Sequence, residues 1–154
     1  MDTIENAGIP VIFYNRTLPE RLVNSVRCDE EEGERWLVSE LVKSGHKRFA
    51  IVSGPSDSAV SMERTQGALQ ELRELNVDDV MIVGCDYSYA SGRAAFAEIV
   101  QLMDGLPDAV VVANDVMAIG CVDEARETNN LRVPEDMSIV GFDGVGPAHY
   151  AAYD

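Results

Sequence analysis

Four short apolar runs, beginning at residues 48, 79, 108 and 137, constrain the fold of this chain more than any other feature. They are RFAIVSG (48–54), DVMIVGCD (79–86), DAVVVAND (108–115) and MSIVGFD (137–143). A spacing of roughly 30 residues accommodates a strand, a crossover helix and a turn. Because the runs are continuously apolar rather than alternating, they predict a parallel sheet with helices on both faces.

Apolar residues at helical spacing occupy the segments around these runs. Leu37 and Leu41, with Val38 and Val42, predict a helix that ends at Gly45. Three further helices are predicted from Leu69, Leu72 and Leu75, from Phe96, Ile99, Val100 and Met103, and from Val116, Ile119, Val122 and Ala125. The strict alternation of strand and helix predicts an α/β fold with right-handed crossovers.

The two ends of the chain are less regular. IPVIFYN (9–15) predicts another strand, and NSVRCD (24–29) a possible short one. The first residues, MDTIENAG, look like the end of a helix, and the last, GPAHYAAYD, lead to no further element. We therefore expect the chain to be a piece of a longer protein.

The formal net charge of −15 argues against direct contact with DNA, because phosphate binding requires a basic face. Part of the acidity lies in DEEEGE (29–34), where the carboxylates are expected to oppose the positive end of the first helix dipole. No apolar run approaches the roughly 20 residues of a membrane span. The first residues do not form a secretory signal either, so we expect a cytoplasmic location.

The sequence offers no motif for catalysis, cofactor binding or metal binding. Three scattered cysteines fit reduced, mostly buried thiols, and two histidines are too few for a zinc site. The chain lacks a dinucleotide-binding glycine motif, a phosphate-binding loop and a serine elbow. We therefore predict a binding protein with no catalytic residue, no metal and no cofactor.

Polar residues stand at the end of every predicted strand. They are Asn15, Asp86, Tyr87, Asn114, Asp115 and Asp143, together with the segment GPSDS (54–58). In an open parallel sheet, ligands bind beyond the carboxyl ends of the strands. The sequence therefore predicts that these side chains surround one small-molecule site.

The residue types suit a polar, hydroxylated ligand. The amide of Asn114 can donate and accept hydrogen bonds, and the carboxylate of Asp143 can accept from hydroxyls. Tyr87 can place its ring against an apolar ligand face. Arg64, near the start of the second predicted helix, offers a planar fork of donors.

Each of these residues also has a purely structural interpretation. Asn114 or Asp115 can cap the helix that follows; we expect Asp115 to be the cap, whereas Asn114 fits both roles. Tyr87 can be a surface aromatic, Arg64 a solvated helix residue and Asp143 a turn residue. The hypothesis of a binding site rests on the convergence of several strand ends rather than on any one residue.

Several ordered motifs carry a family resemblance. SGHKRFAIVSGPSDS, ERTQGALQEL, VVVANDVMAIG and LRVPEDMSIVGFDG resemble the effector-binding region of bacterial LacI/GalR-type transcription regulators, over about residues 9–150. The resemblance implies the type I periplasmic-binding-protein fold, in which two α/β subdomains close on a sugar or purine. It implies that 1–28 is a remnant of the N-terminal subdomain, 29–143 most of the C-terminal one and 144–154 a truncated crossover segment.

The resemblance also implies roles for individual residues. Arg64 corresponds to the arginine that clamps the effector, and Asn114 and Asp143 correspond to residues that hydrogen-bond it. Tyr87 falls where an aromatic ring stacks on the effector. Asn15 falls where a polar group of the other subdomain faces the cleft.

The resemblance further implies the partners of the full-length protein. A small effector, a sugar or nucleoside, would control operator DNA binding by a helix-turn-helix that is absent from this chain. The full-length protein would be a cytoplasmic homodimer with no membrane partner. The alternative is a periplasmic sugar-binding protein of the same fold, but GHKRFA and VPEDMSIVGFD favour the regulator.

Overall fold

The computed structural model describes residues 10–14 and 24–153, so the predicted site residue Asn15 lies outside the described residues. Its strands are β1 (Phe13–Tyr14), β2 (Ser25–Val26), β3 (Arg48–Ser53), β4 (Asp79–Gly84), β5 (Ala109–Val112) and β6 (Ser138–Val140). Its helices are α1 (Glu30–Lys43), α2 (Ala59–Glu74), α3 (Tyr89–Leu102) and α4 (Asp115–Glu127), followed by a 3-10 helix at Gly146–His149. The predicted alternation of strand and helix is confirmed.

The main sheet is parallel and has the strand order β4-β3-β5-β6. The chain passes from β3 to β4 on one side, then crosses back to β5 on the other. The loops after β3 and β5 therefore diverge at the middle of the sheet. Such a switch point forms a crevice at the carboxyl edge, where open α/β sheets bind ligands. The strands β1 and β2 pair in parallel in a separate two-stranded sheet.

Hydrophobic cores lie on both faces of the main sheet, as the continuous apolar runs predict. In β3, Phe49 and Ile51 pack in the core with α1 and α2, whereas Ala50 and Val52 pack in the core with α3 and α4. The same alternation holds in β5. Burial on both faces explains why β5 and the interior of β3, between its end residues Arg48 and Ser53, are entirely apolar.

The expectation of full burial is wrong for β4. Its Ile82 side chain is 48% exposed, whereas every residue of β5 is buried. The reason is position: β4 is an edge strand, so the flanking helices cover it less completely. Among the cysteines, all free, Cys121 is buried as expected, but Cys28 is exposed.

Local sequence signals explain where α1 begins and ends. The Asp29 side chain accepts a hydrogen bond from the backbone N–H of Glu32, which is an N-cap. At the other end, Gly45 adopts a φ of +101°, a left-handed conformation that favours glycine. The backbone N–H of Gly45 donates to Val42 and that of His46 donates to Leu41, closing the helix. No helix in the described part of the chain is both long and apolar enough to cross a membrane.

Candidate functional site

Arg64 lies at the centre of the carboxyl edge of the sheet and is only 3% exposed. Its Nε donates to Glu30 Oε2 at 2.7 Å and its Nη2 to Asp143 Oδ1 at 2.8 Å. Its Nη1 donates to the carbonyl oxygen of Ala113 at 2.5 Å. One guanidinium therefore joins α1, α2, the end of β5 and the loop after β6.

Close packing of α1 against α2 brings Glu30 to Arg64. A Cβ atom added to Gly67, one turn after Arg64, would lie 2.5 Å from the carbonyl oxygen of Glu31. Only glycine permits this approach of the two helices. Above the guanidinium, the Phe142 ring centroid lies 3.8 Å from Arg64 Cζ, which adds a cation–π contact.

Two buried carboxyl groups surround this arginine from α1. Glu30 is 1% exposed and Glu34 is 2% exposed. Burial raises the pKa of Glu34 to about 8; Arg64 opposes the rise, whereas the charges of Glu30 and Asp143 add to it. Glu34 therefore holds a proton at neutral pH, while the Glu30 carboxylate pairs with Arg64.

Asp115 holds the loop that carries Asp143. Its backbone N–H donates to the carbonyl oxygen of Phe142 at 3.0 Å, and its Oδ2 accepts from the backbone N–H of Val145 at 2.6 Å. Asp115 is 6% exposed. These two bonds fix the loop on either side of Asp143, whose φ of +102° is rare for a residue other than glycine.

The prediction that Asp115 is the N-cap of α4 is wrong. Asn114 has extended backbone angles and is the N-cap of α4, because its Oδ1 accepts from the backbone N–H of Met117 at 2.9 Å. Asp115 is already the first helical residue, so its side chain points to the loop instead. The amide nitrogen of Asn114 makes no hydrogen bond to the described residues, so capping still leaves a donor for a ligand.

Tyr87 lies in the loop after β4, close to the loop after β3. Its φ of +69° is left-handed, and its ring lies against Gly54, where no Cβ atom could fit. Its hydroxyl lies 3.1 Å from Ser58 Oγ. The neighbouring Asp86 accepts from the backbone N–H of Ser88, and hydrogen bonds from Ser88 and Ser91 lower its pKa to about 2. Asp86 is therefore a turn residue.

The structure thus brings three of the predicted site residues together at the switch point. Arg64 and Asp143 are in direct contact, and Asn114 follows Ala113, whose carbonyl oxygen binds Arg64. Tyr87 lies at the neighbouring strand end, over the loop after β3. The two predicted residues with left-handed backbones, Tyr87 and Asp143, both lie at this edge, and such backbones are common at ligand sites.

An open groove of about 910 Å³ lies beside these residues. It is lined by Ser53, Gly54, Pro55, Ser56, Asp57, Ser61, Met62, Thr65, Gln66, Gly84 and Cys85. Four residues of the predicted segment GPSDS, Gly54 to Asp57, therefore line this groove, whereas Arg64, Tyr87, Asn114 and Asp143 do not. We place the candidate site at the switch point because a buried arginine and its carboxylate partners converge there, whereas Asp57 is the only charged residue among those that line the groove.

Sequence reasoning missed the burial of Glu30 and Glu34. The prediction for the acidic run was only that its carboxylates oppose the helix dipole, a role that fits the exposed Glu32. The signal was the spacing: Glu30, Glu34 and Val38 are four residues apart and share one helix face. Since Val38 belongs to the apolar stripe of α1, the two glutamates lie on the buried side.

The periplasmic binding protein-like domain family matches residues 38–153. The chain belongs to this family. Members and neighbours include LacI-type regulators, which confirms the resemblance drawn from the motifs.

The HTH-type transcriptional regulator CelR of Thermobifida fusca is 34% identical over 154 residues, which cover 96% of this chain and 44% of that protein. A structure of a sugar-binding LacI-family regulator from Escherichia coli, complexed with phosphate, is 29% identical with a TM-score of 0.80. It matches 96% of this chain and 53% of that one. A CelR–cellobiose complex is 33% identical with a TM-score of 0.79, over 92% of this chain and 44% of that one. The chain spans about half the length of these relatives.

Proposed function

We propose that this chain is part of the ligand-sensing domain of a LacI-type transcription regulator and that it binds a small hydroxylated effector, a sugar or nucleoside, at the switch point. The observation that carries the proposal is the contact between Arg64 and Asp143, with Asn114 beside it, at the carboxyl edge of a doubly wound sheet. The cellobiose bound by CelR supports a sugar.

Each residue has a distinct task in this proposal. Asp143 accepts hydrogen bonds from ligand hydroxyls, and Arg64 holds its carboxylate in place. The amide nitrogen of Asn114 donates to a ligand oxygen, and the Tyr87 ring covers an apolar ligand face. Asn15 contributes from the N-terminal subdomain. None of these groups forms a nucleophile–base pair, so the proposed role is binding without catalysis.

The proposed regulation follows from two-state linkage. The effector would bind between the subdomains and favour the arrangement for which it has the higher affinity. In a cytoplasmic homodimer, this shift would change the spacing of two helix-turn-helix domains on operator DNA. The acidic chain itself would make no contact with the operator.

The test is a calorimetric screen of sugars and nucleosides against the full-length regulator. The decisive variant is Asn114→Gly, because glycine costs a helix N-cap only a few tenths of a kcal/mol but removes the donor. We expect the affinity of the effector to fall by about 1–3 kcal/mol. Tyr87→Ala should lower the affinity for the same ligand.

Arg48→Ala, at the opposite edge of the sheet, is the matched control and should bind as the wild type does. If Asn114→Gly and Tyr87→Ala both keep wild-type affinity, the effector binds elsewhere and the proposed site is wrong.

A further inference from the structure

Building on the proposed function, we infer that Glu30 and Asp143 make this site selective for uncharged effectors and exclude those that present a carboxylate or phosphate to Arg64. An arginine in a binding site is commonly a receptor for such anions. Here the guanidinium already has two carboxylate partners within the chain, Glu30 at 2.7 Å and Asp143 at 2.8 Å.

The charge at the site is negative before any ligand arrives. Arg64 contributes one positive charge, and Glu30 and Asp143 contribute one negative charge each. Asp115, which holds the loop beside Asp143, is a further acidic residue. An effector anion would add another negative charge to a buried cluster in which like charges repel strongly.

The hydrogen bonds of Arg64 lead to the same conclusion. Its Nε, Nη1 and Nη2 atoms each donate to an acceptor of the chain, and Phe142 covers one face of the guanidinium. A bidentate anion would have to displace Glu30 or Asp143 from Arg64. A displaced Glu30 would be left as an unpaired buried charge, which is strongly unfavourable.

Each of the two buried carboxyl groups has one oxygen without a hydrogen-bond partner in the described residues. Glu30 Oε1 and Glu34 Oε2 have no hydrogen-bond partner among the described residues, although both atoms are buried. Glu30 Oε1, as a carboxylate oxygen, would be stabilised by a hydrogen-bond donor, and an anionic ligand that only accepts hydrogen bonds would not provide one. At Asp143, whose side chain is 36% exposed, a neutral polyol can donate through its hydroxyls, whereas a ligand carboxylate has no hydrogen to donate.

Glu34 distinguishes the effect of charge from the effect of a buried carboxyl group. It lies beside Glu30 and Arg64, but it holds a proton at neutral pH. Glu34→Gln therefore leaves the charge of the site unchanged at pH 7, whereas Glu30→Gln removes one negative charge. The two substitutions are chemically identical and lie one helical turn apart, so they form a matched pair.

The first experiment titrates the full-length regulator at pH 7 with matched neutral and anionic probes. The probes are aldohexoses with their hexuronates, and nucleosides with their monophosphates. For each pair in which binding is detected, we expect the anionic member to bind at least about tenfold more weakly than the neutral one. Glu30→Gln should reduce the ratio of neutral-probe affinity to anionic-probe affinity, and Glu34→Gln should leave this ratio unchanged. An anionic probe that binds the wild type more tightly than its neutral partner overturns the inference.

The second experiment needs no effector. Thermal unfolding of the full-length regulator is followed in sodium phosphate and in sodium chloride of equal ionic strength. Relative to chloride, phosphate should raise the melting temperature of Glu30→Gln by more than it raises that of the wild type or Glu34→Gln, whose increase measures the general stabilising effect of the salt. Equal phosphate stabilisation of wild type and Glu30→Gln overturns the inference.

The outcomes separate this inference from the proposed function. If a neutral sugar binds and loses affinity in Asn114→Gly while its uronate binds equally well, the site is correct and the charge selection is wrong. If ligands bind with no effect of Asn114→Gly or Tyr87→Ala, the proposed site fails, and the charge selection fails with it.

Discussion

The two edges of the sheet each have an arginine that joins several chain segments, but their environments differ. Arg64, at the carboxyl edge, binds Glu30, Asp143 and the carbonyl oxygen of Ala113, and its side chain is 4% exposed. Arg48, at the amino edge, binds Asp79 and two backbone carbonyls, and its side chain is 32% exposed. The number of hydrogen-bonded segments is similar, so burial is the main difference.

That difference decides what each edge can do. At the amino edge, solvent screens the ion pair of Arg48, which then mainly fixes a turn. At the carboxyl edge, Arg64 and Glu30 are shielded from water, so their charges depend on partners within the protein, while Asp143 stays accessible to a ligand. A desolvated and pre-arranged cluster can discriminate between ligands, whereas a solvated one cannot do so as strongly.

The largest expected effect is on stability after Arg64→Ala. This substitution leaves Glu30 as a buried carboxylate without its cation, which costs about 3–5 kcal/mol. Arg48→Ala exposes Asp79 to water instead and should cost clearly less. Urea unfolding of both variants measures the difference, and equal losses would show that burial does not distinguish the two edges.

The second effect is a pH dependence of the free energy of unfolding that arises from Glu34. Its pKa is raised from 4.5 to about 8 in the folded state. Between these values the native protein holds a proton that the unfolded chain has released, so Glu34 lowers stability as pH rises, by at most about 1.4 kcal/mol per pH unit. Glu34→Gln should remove this loss, becoming more stable relative to wild type from pH 5 to pH 8.

Glu74 provides the control with the opposite sign. Hydrogen bonds from Arg35 and Gln70 lower its pKa, so its contribution is present above its ordinary pKa and is lost as pH falls below that value. The pH dependence of stability in Glu74→Gln should therefore differ from that of the wild type only at acidic pH. A Glu34→Gln variant with the wild-type slope between pH 5 and pH 8 would show that Glu34 is ionised in the folded protein.

The third effect is the release of the loop that carries Asp143. Asp115→Ala removes the acceptor of the Val145 backbone N–H, at a cost of about 1–3 kcal/mol in stability. The substitution should also lower the affinity for the effector, because Asp143 is no longer held in its left-handed conformation. Asp108→Ala is the counterpart at the amino edge, where Asp108 accepts from the backbone N–H groups of Lys47 and Arg48.

Hydrogen exchange of the backbone amides measures how far each substitution loosens its loop. Asp108→Ala should leave effector affinity unchanged. If Asp115→Ala also leaves the affinity unchanged, Asp115 has no part in positioning Asp143.

The smallest effect is the loss of the α4 cap in Asn114→Ala. Alanine removes the acceptor for the Met117 N–H and should lower stability by about 1 kcal/mol. Thermal unfolding of Asn114→Ala and Asn114→Gly separates the cap from the ligand contact, since both lose the donor but glycine retains most of the capping. Identical melting temperatures of the two variants would contradict the capping role.

Much of the fold was predictable because it depends on near neighbours in sequence. The end of α1 at Gly45 requires a left-handed residue, and the apolar runs of β3 and β5 require burial on both faces. The gathering of Arg64, Asn114 and Asp143 at one edge follows from parallel strands. The cap of α4 was predicted one residue too late, because Asn114 and Asp115 are both good capping residues and only the backbone angles distinguish them.

The sequence by itself determined the order of strands and helices, the polar residues at the strand ends and the acidic character of the chain. Only the tertiary structure decided that Glu30 and Glu34 are buried beside Arg64, that Asp115 holds the Asp143 loop and that β4 is an exposed edge. The physical reason is that spacing sets which residues share a face. Which face becomes desolvated, and with which charges, depends on elements distant in the chain.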